Sequence, residues 1–192
     1  MLIGRGPRAR QRSRRRKWNL LAFLAPILLI LGVPAWFLFP LRDSPVSSDA
    51  VVVIAGAADG RHQLGAQLVE EGISKNFVVS NPAGSRDKVG SAHCRGKDQP
   101  EGVTQTWCMR PTPITTVGEA MTMGRIAEEE GWATLTAVTN RPHTHRVRAV
   151  FKQCTNLDVV VVSTDYVNMT RMPYHVGREI GGYIKFWLTN PC

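Results

Sequence analysis

Seven residues, AVVVIAG from Ala50 to Gly56, say most about the architecture of this chain of 192 residues. The run is apolar throughout, largely β-branched, and ends in glycine. A strand that is buried on both faces has this pattern, because neither of its faces carries polar side chains. Such strands lie inside parallel sheets that helices cover on both sides. The run therefore predicts a central parallel strand.

Helical and strand patterns alternate after this run. A helix comes first, and Gly72 is placed to end it. FVVS, Phe77 to Ser80, is the next strand. The domain therefore begins with a right-handed βαβ unit. The later predicted elements are a helix over Thr115–Trp132, a strand over Thr134–Thr139, a helix over Arg141–Cys154, a strand over Asp158–Ser163 and a helix over 174–189. This alternation predicts an α/β protein, a three-layer α/β/α Rossmann-like sandwich with a mostly parallel sheet.

Residues 81–113 interrupt the alternation. They are rich in glycine, proline and charge, and they contain two of the four cysteines. Only the stretch Thr104–Met109 suggests a further strand. We expect irregular structure over the rest of this segment.

The N-terminal part predicts a membrane anchor. Arginines come first, and an uncharged run from Trp18 to Pro40 follows them. This run has about the ~20 residues that a helix needs to cross a bilayer. Because positive residues stay on the cytoplasmic side of a membrane, we expect the N-terminus inside and residues 41–192 outside.

The predicted organisation is a cytoplasmic basic tail (1–17), a transmembrane signal anchor (18–40), a linker (41–49) and an extracytoplasmic α/β domain (50–192). A cleaved signal peptide is the alternative, but the apolar run is long for one and no small-x-small cleavage site follows it. Twin-arginine export, which the residues SRRRKW faintly suggest, is a second alternative.

The distribution of charge argues against a nucleic-acid partner. The formal net charge is +9, but residues 1–40 carry eight of the 24 Arg and Lys residues and no acid. In residues 41–192, the other sixteen are balanced by fifteen Asp and Glu residues. A nucleic-acid-binding domain carries its basic surface on the folded body, so we expect no nucleic-acid partner.

Four cysteines, Cys94, Cys108, Cys154 and Cys192, all follow the apolar run. An exported location favours their oxidation, and four cysteines allow three pairings. We prefer Cys94 with Cys108, which closes one local excursion, and Cys154 with Cys192, which joins the terminus to a helix end. Four free buried thiols are the alternative. No C-x-x-C motif indicates redox or zinc chemistry.

Polar residues concentrate where the predicted strands lead into helices. Ligands of open parallel sheets bind beyond the carboxyl ends of the strands. Four such junctions are expected at one edge of the sheet: 56–61, 80–86, 115–119 and 139–148. Helix amides and arginines at this edge favour an anion. We therefore expect an anionic small molecule or a lipid-linked anion as the ligand.

The stretch VTNRPHTHRVRAVF, Val138 to Phe151, packs three arginines and two histidines into eight residues. Cations at the start of a helix oppose its dipole, so helix stability does not explain them. A bound anion, or a neighbouring carboxylate such as Glu119, does explain them. The alternative for Arg146 and Arg148 is a solvent-exposed face without a specific partner.

Several of these residues have simpler interpretations. Asn140 is placed to act only as a helix N-cap, and Thr116 with Glu119 has the T-x-x-E spacing of a capping box. His143 and His145 resemble a metal-binding pair, but residues i and i+2 of a helix diverge, so we expect no metal.

The glycines after the first strand do not indicate a nucleotide cofactor. Gly56, Asp59 and Gly60 fail to complete the G-x-G-x-x-G fingerprint of a dinucleotide site. Neither a Walker motif nor a G-x-S-x-G elbow occurs in the sequence. We therefore expect no cofactor.

The order of these motifs resembles the SanA/YdcF/ElyC-like family of bacterial envelope proteins. A strand ends in glycine, an arginine opens the first helix, VVS ends the second strand, and a TTxGEA helix start precedes VTN…H…R. The resemblance covers about Asp49–Cys192 and is strongest at Thr115–Ala120 and Val138–Arg146. It implies a Rossmann-like domain behind a membrane anchor, a place in the bacterial plasma membrane, and a role in envelope barrier function or peptidoglycan precursor metabolism.

Carried over by position, the polar pocket residues of the family fall on Arg61, Ser80, Thr116, Glu119, His143 and Arg146. Gly56 and Asn140 lie at the same strand ends. We expect His143 and Glu119 to be catalytic and the following residues to bind the anionic substrate: Gly56, Arg61, Ser80, Thr116, Asn140 and Arg146. The chain departs from the family pattern at Asn81–Pro82, where many members have a glycine pair, and at TTVGE, where many have NTxEN. The acid Glu119 therefore lies one position later on its helix, a rotation of about 100°.

Three functions are compatible with these observations. The first is an enzyme that hydrolyses or transfers a phosphorylated envelope precursor, either lipid-linked or a sugar phosphate. Arg61 and Arg146 would then hold the anion, with His143 as general acid or base. Glu119 would orient His143 or activate water, and Thr116 with its helix amides would bind an oxyanion.

The second function is a non-catalytic module that binds the same ligand and regulates envelope or peptidoglycan assembly. The third is a structural membrane protein with a vestigial pocket. The sequence indicates neither a specific substrate nor a protein partner.

Overall fold

A computed structural model describes residues 7–56, 59–165 and 169–192, with the side chains of these residues except 7–15 and 169. The helices in these ranges are α1 (Pro7–Leu38), α2 (Arg61–Glu70), α3 (Lys88–Cys94), α4 (Thr116–Glu130), α5 (Thr144–Cys154) and α6 (Met172–Thr189). The strands are β1 (Ala50–Val53), β2 (Asn76–Ser80), β3 (Gln105–Met109), β4 (Thr134–Asn140) and β5 (Asp158–Thr164). Short 3-10 turns lie at Gly84–Arg86, Arg141–His143 and Met169–Arg171.

The five strands form one parallel sheet in the order β3-β2-β1-β4-β5. Strand β1 is central, and Val52 pairs with Val78 of β2 on one side and Ala137 of β4 on the other. The strand order reverses direction between β1 and β4. A crevice opens at the carboxyl ends of the strands at such a point, so the sheet itself positions the site.

Helices cover both faces of the sheet. On one face, Val52 of β1 and Ile54, which follows the strand, pack with residues of α4, α5 and α6 such as Met123, Phe151 and Phe186. On the other face, alternate residues of the same strand pack against α2 and the end of α3. All four β1 residues are fully buried. The prediction of a three-layer Rossmann-like sandwich with a parallel sheet is confirmed.

The segment 81–113 is more ordered than its composition suggests. It contains α3 in addition to β3, so the expectation of irregular structure is wrong for Lys88–Cys94. Asp87 caps the start of this helix, and its carboxylate accepts a hydrogen bond from the amide of Gly90. A seven-residue helix has too few positions for a periodic pattern, and its end is held by tertiary structure instead.

Both preferred disulfide pairings are present. Cys94 at the end of α3 is bonded to Cys108 in the edge strand β3, so the disulfide closes the segment between these two cysteines. Cys154 at the end of α5 is bonded to Cys192, which ties the C-terminus to the domain. All four cysteines are used, and the alternative of free thiols is wrong.

The N-terminal helix α1 extends well beyond the domain. Its part Arg16–Leu38 is long and apolar enough to cross a membrane, with a mean hydropathy of 2.4. This agrees with the predicted anchor at 18–40, although the helix ends at Leu38. Of the predicted basic tail (1–17), residues 1–6 lie outside the described residues.

The predicted linker, 41–49, is held along the domain edge. The carboxylate of Asp43 accepts hydrogen bonds from Arg148 of α5 and from the amide of Val161 in β5. Asp49 accepts from the amide and the hydroxyl of Thr134 at the start of β4. These contacts connect α1 to the sheet through an ordered segment.

Candidate functional site

A cavity of about 400 Å³ opens at the carboxyl ends of the strands, where the strand order reverses. The residues that line it come from the segment after β1, the segments 82–87 and 111–115, the start of α4, the turn before α5, α5 itself and α6. They include Gly56, Thr116, Glu119, His143, Arg146 and Arg178. Residues that are distant in the sequence therefore meet at one rim of the sheet, as predicted.

The remaining predicted residues lie directly behind this cavity. Ser80, at the end of β2, is fully buried and donates a hydrogen bond to Glu119. Arg61 and Asn140 line a small adjoining pocket, together with Gly56 and His143. The predicted set is thus brought together in two layers, one facing the cavity and one supporting it.

Glu119 faces the cavity despite its displaced position in the sequence. Its oxygen Oε1 accepts hydrogen bonds from the amide of Ala55 (2.7 Å) and from the hydroxyl of Ser80 (2.6 Å). Among the described residues, no donor contacts its other oxygen, Oε2. Burial raises the pKa of this carboxyl above its ordinary value, and the bonds from Ser80 and Ala55 oppose the rise only in part.

The capping-box interpretation of Thr116 and Glu119 is wrong. The N-cap of α4 is Thr115, whose hydroxyl accepts from the amide of Gly118 at 3.2 Å. This helix start lies so close to the carbonyl of Pro113 that a Cβ on Gly118 would come within 1.9 Å of its oxygen. Because Thr115 takes the capping role, the side chains of Thr116 and Glu119 are both free to point into the site.

His143 connects two polar side chains across the cavity wall. Its Nδ1 lies 2.8 Å from Oε2 of Glu179, and its Nε2 lies 3.3 Å from the hydroxyl oxygen of Thr116. A carboxylate only accepts hydrogen bonds, so Nδ1 carries the hydrogen and Nε2 presents its lone pair to Thr116. Burial lowers the pKa of His143 to about 4, which keeps the ring neutral at neutral pH.

Arg146 completes this network. Its Nε and Nη2 donate to the two oxygens of Glu179, at 2.7 and 2.9 Å, and its Nη1 donates to the Thr116 hydroxyl at 2.8 Å. The hydroxyl of Thr116 therefore accepts from Arg146 and has its own hydrogen available for His143. Burial opposes ionisation of Glu179, but His143 and Arg146 outweigh it and lower its pKa to about 2.

Arg61 makes a second ion pair, deeper than the first. It donates to both oxygens of Asp59 and, through Nη1, to the carbonyls of Ile54 and Ala55 at 2.9 Å. Its side chain is only 2% exposed. Four of the five N–H groups of the guanidinium are thus occupied by the protein.

Gly56 is required by this arrangement. A Cβ at this position would lie 2.3 Å from Nη1 of Arg61, far inside any van der Waals contact. Asn140 joins the same layer: its side chain donates to Asp59 and accepts from the amide of His143. The N-cap interpretation of Asn140 is therefore correct but incomplete, because the same side chain links the turn before α5 to the Arg61 ion pair.

The basic side chains of the stretch 141–148 contact several different partners. Arg141 pairs with Asp165, and Arg148 pairs with Asp43 of the segment that follows α1. The His145 ring stacks on Trp36 with centroids 3.7 Å apart. Only His143 and Arg146 of this cluster face the cavity. The interpretation of Arg146 and Arg148 as an unpartnered face is wrong, and His143 and His145 point to different partners.

Sequence reasoning missed three residues of the site. Asp59 attracted attention only as part of an incomplete glycine motif. Glu179 is the single acid of α6 and lies three residues after Val176, next to the side of the helix that carries Val176, Ile180 and Tyr183. A lone acid beside these apolar residues was the available signal. Arg178 lies at the rim of the cavity and, within the described residues, has no carboxylate partner.

No family model, no curated protein and no solved structure matches this chain.

Proposed function

We propose that this protein is a membrane-anchored enzyme that hydrolyses or transfers a phosphoryl group of an envelope precursor in the bacterial plasma membrane. One observation carries the proposal: the hydrogen-bonded series Glu179–His143–Thr116 inside the cavity, with Arg146 bonded to both of its ends. A nucleophile, a base and a group that orients the base form the recurring arrangement of nucleophilic catalysis.

The tautomer of His143 favours catalysis over simple ligand binding. An anion-binding site needs hydrogen-bond donors, whereas Nε2 of His143 presents a lone pair toward a hydroxyl. Glu179 fixes this orientation and stabilises the imidazolium that forms when His143 takes a proton. Arg146 donates to the oxygen of Thr116 and so stabilises negative charge that develops there.

In the first step, Oγ of Thr116 attacks the phosphorus atom and its proton passes to Nε2 of His143. The bond from phosphorus to the leaving oxygen breaks, and Glu119 gives that oxygen a proton. Burial raises the pKa of Glu119, which favours the protonated form that gives up this proton. The lowered pKa of His143 leaves its ring neutral and able to accept.

In the second step, water attacks the phosphothreonine. Its proton passes to the Glu119 carboxylate, and His143 returns its own proton to the departing Thr116 oxygen. Phosphate leaves, and every group regains its starting protonation state. If an alcohol replaces water, the same step transfers the phosphoryl group instead.

The substrate charge is held by Arg146 and Arg178. Arg178 lines the cavity and has no carboxylate partner among the described residues, so its charge is available to a ligand. Four of the five N–H groups of Arg61 are occupied by Asp59 and two carbonyls. We therefore assign it a positioning role, in place of the anion-binding role that the sequence suggested.

Two features support an extracytoplasmic location for the domain. Arginines precede the apolar part of α1, and both cysteine pairs are oxidised. The positive-inside tendency and the rarity of structural disulfides in reducing compartments both favour the domain outside the cell.

The test measures phosphate release by the full chain in detergent micelles, with a polyprenyl pyrophosphate and a sugar phosphate as probes. We expect turnover that is lost in His143→Ala and Thr116→Ala and partly retained in Thr116→Ser. The matched control is His145→Phe, which keeps the ring stack on Trp36 outside the cavity and should retain turnover. Tight binding of the probes without turnover, in wild type and His143→Ala alike, would overturn the proposal in favour of a non-catalytic binding module.

A further inference from the structure

Helix α6 carries an exposed apolar surface near its end. Ile184 is 53% exposed, Trp187 59% and Leu188 82%. Residues three and four apart are neighbours on a helix, so these three side chains form one patch. Apolar patches of folded domains mark interaction sites when they are contiguous. We call this patch, Ile184 with Trp187 and Leu188, the outer face of α6.

The adjoining side of α6 packs against the apolar helix α1. Phe37 of α1 is buried in a cluster with Met172 and Val176 of α6. Val33 of α1 and Tyr183 of α6 pack against the same cluster. The outer face is thus continuous with the contact between the domain and its candidate membrane span.

The position of Val33 in α1 indicates how deeply α6 lies relative to the bilayer. Val33 lies five residues before the end of the apolar span at Leu38, which corresponds to about 7 Å along a helix. A helix that packs at this level lies beside the last turns of the span. Amphipathic helices that rest on a bilayer bury their apolar face to a depth of about 5–10 Å, which is the same range.

The charges of α6 agree with this placement. Arg178 and Lys185 are seven residues apart and therefore share one side of the helix. Around the helix, Lys185 lies between Gly182, which lines the cavity with Arg178, and Leu188 of the outer face. Basic residues beside an apolar helix face are typical of helices on anionic lipid surfaces, and Trp and Tyr are enriched at the interface.

We propose that α6 is an interfacial helix: its outer face enters the lipid headgroup region beside α1, and the cavity opens at the membrane surface. The substrate is then a lipid-linked phosphate whose hydrocarbon chain stays in the bilayer while its headgroup reaches Arg178. This inference rests on α1 crossing the membrane, and its account of the substrate rests on the proposed function.

The test uses the full chain in vesicles of anionic phospholipid that contain lipids brominated near the headgroup end of the acyl chain. Bromine quenches tryptophan fluorescence at short range. We compare wild type with Trp187→Phe, and with Trp132→Phe as the matched control, because Trp132 lies just before the start of β4, at the edge of the sheet opposite the cavity. The fluorescence that disappears with Trp187 should be strongly quenched, and that of Trp132 should not.

Two results overturn the inference, and a third variant separates them. If the Trp187 signal is unquenched while that of Trp18, measured with Trp18→Phe, is quenched, the anchor is inserted and α6 lies in water. If neither is quenched, α1 does not cross the bilayer and the inference fails with it. These readouts do not depend on turnover, so they stand whether or not the proposed function holds.

A second experiment addresses the substrate. The double variant Ile184→Glu/Leu188→Glu should lower phosphate release from a polyprenyl pyrophosphate in vesicles by at least about tenfold, because apolar contact with lipid is lost. Release from a short water-soluble pyrophosphate should be unchanged, which also shows that the variant is folded. Equal loss on both substrates, or loss on neither, contradicts a membrane-facing cavity.

Discussion

Two arginine–carboxylate pairs flank the cavity, and they differ in what else they contact. The pair of Arg61 with Asp59 is buried, and the two N–H groups of Arg61 Nη1 bind the carbonyls of Ile54 and Ala55. The pair of Arg146 with Glu179 instead contacts groups that can react, namely His143 and the hydroxyl of Thr116. The same chemical pair therefore supports a backbone turn in one place and orients a candidate catalytic group in the other.

The comparison teaches that charge alone does not identify a binding arginine. Arg61 and Arg146 were equivalent as cations near the ends of strands. They differ in how many of their N–H groups the protein already occupies, and in whether the remaining N–H groups face the cavity. The following predictions test this distinction.

The largest expected effect belongs to Glu179. Replacing it with glutamine keeps the size of the side chain, but the amide no longer fixes the hydrogen of His143 on Nδ1. We expect kcat to fall by about 10⁴-fold, as in other enzymes whose orienting carboxylate becomes an amide. The measurement is the phosphate release assay. Glu129→Gln, on the exposed side of α4, is the control and should retain turnover; a loss below about tenfold in Glu179→Gln would place Glu179 outside the reaction.

The next effect concerns stability at the other pair. Arg61→Met leaves Asp59 buried without its partner, and we expect the free energy of unfolding to fall by about 4 kcal/mol. Urea denaturation of the full chain in micelles measures this. The double variant Asp59→Asn/Arg61→Met should recover part of the loss, since no buried charge remains. Unchanged stability with abolished turnover in Arg61→Met would instead make Arg61 a substrate ligand, and the distinction between the pairs would be lost.

The smallest effect is the dependence of stability on pH. The pKa of His143 is about 4 in the folded protein against an ordinary value of 6.5. Between these values the unfolded chain binds a proton that the folded chain does not, so acidification through this window lowers the free energy of unfolding, by up to about 3 kcal/mol. Glu179, with a pKa of about 2 against 4.5, extends the loss to lower pH.

Thermal unfolding in steps from about pH 7 to 4 measures this dependence. The His143→Gln variant should have a flatter profile than wild type across the window. Burial also lowers the pKa of His62, so a smaller slope of the same sign should remain in the variant. Identical slopes in both proteins would mean that His143 is not held neutral by the fold.

Much of the fold could be predicted because its signals are local. The run Ala50–Gly56 indicated a strand buried on both faces, and all four residues of β1 are buried in a parallel sheet. Helix α3 could not be predicted, since its seven residues are too few for a periodic pattern and its end is held by the disulfide to Cys108.

The sequence predicted where the site lies, but it predicted only part of what the residues of the site do. Strand ends of a parallel sheet share one edge, so Thr116, Glu119, His143 and Arg146 were expected together, and they do line one cavity. Their partners were not predictable in the same way. Glu179 lies on the last helix, 33 residues after Arg146, and no local pattern connects the two.

By itself, the sequence determined the sheet and the apolar N-terminal helix, because hydrophobic period and length are properties of short segments. It indicated a preferred pairing of the four cysteines, and the tertiary structure decided that pairing. Only the tertiary structure decided which carboxylate each cation meets. That choice depends on the geometry with which α4, α5 and α6 pack on one face of the sheet, and a hydrogen bond is sensitive to a few tenths of an ångström that no sequence pattern records. The division between a supporting Arg61 and a reactive cluster around Arg146 is therefore a consequence of packing.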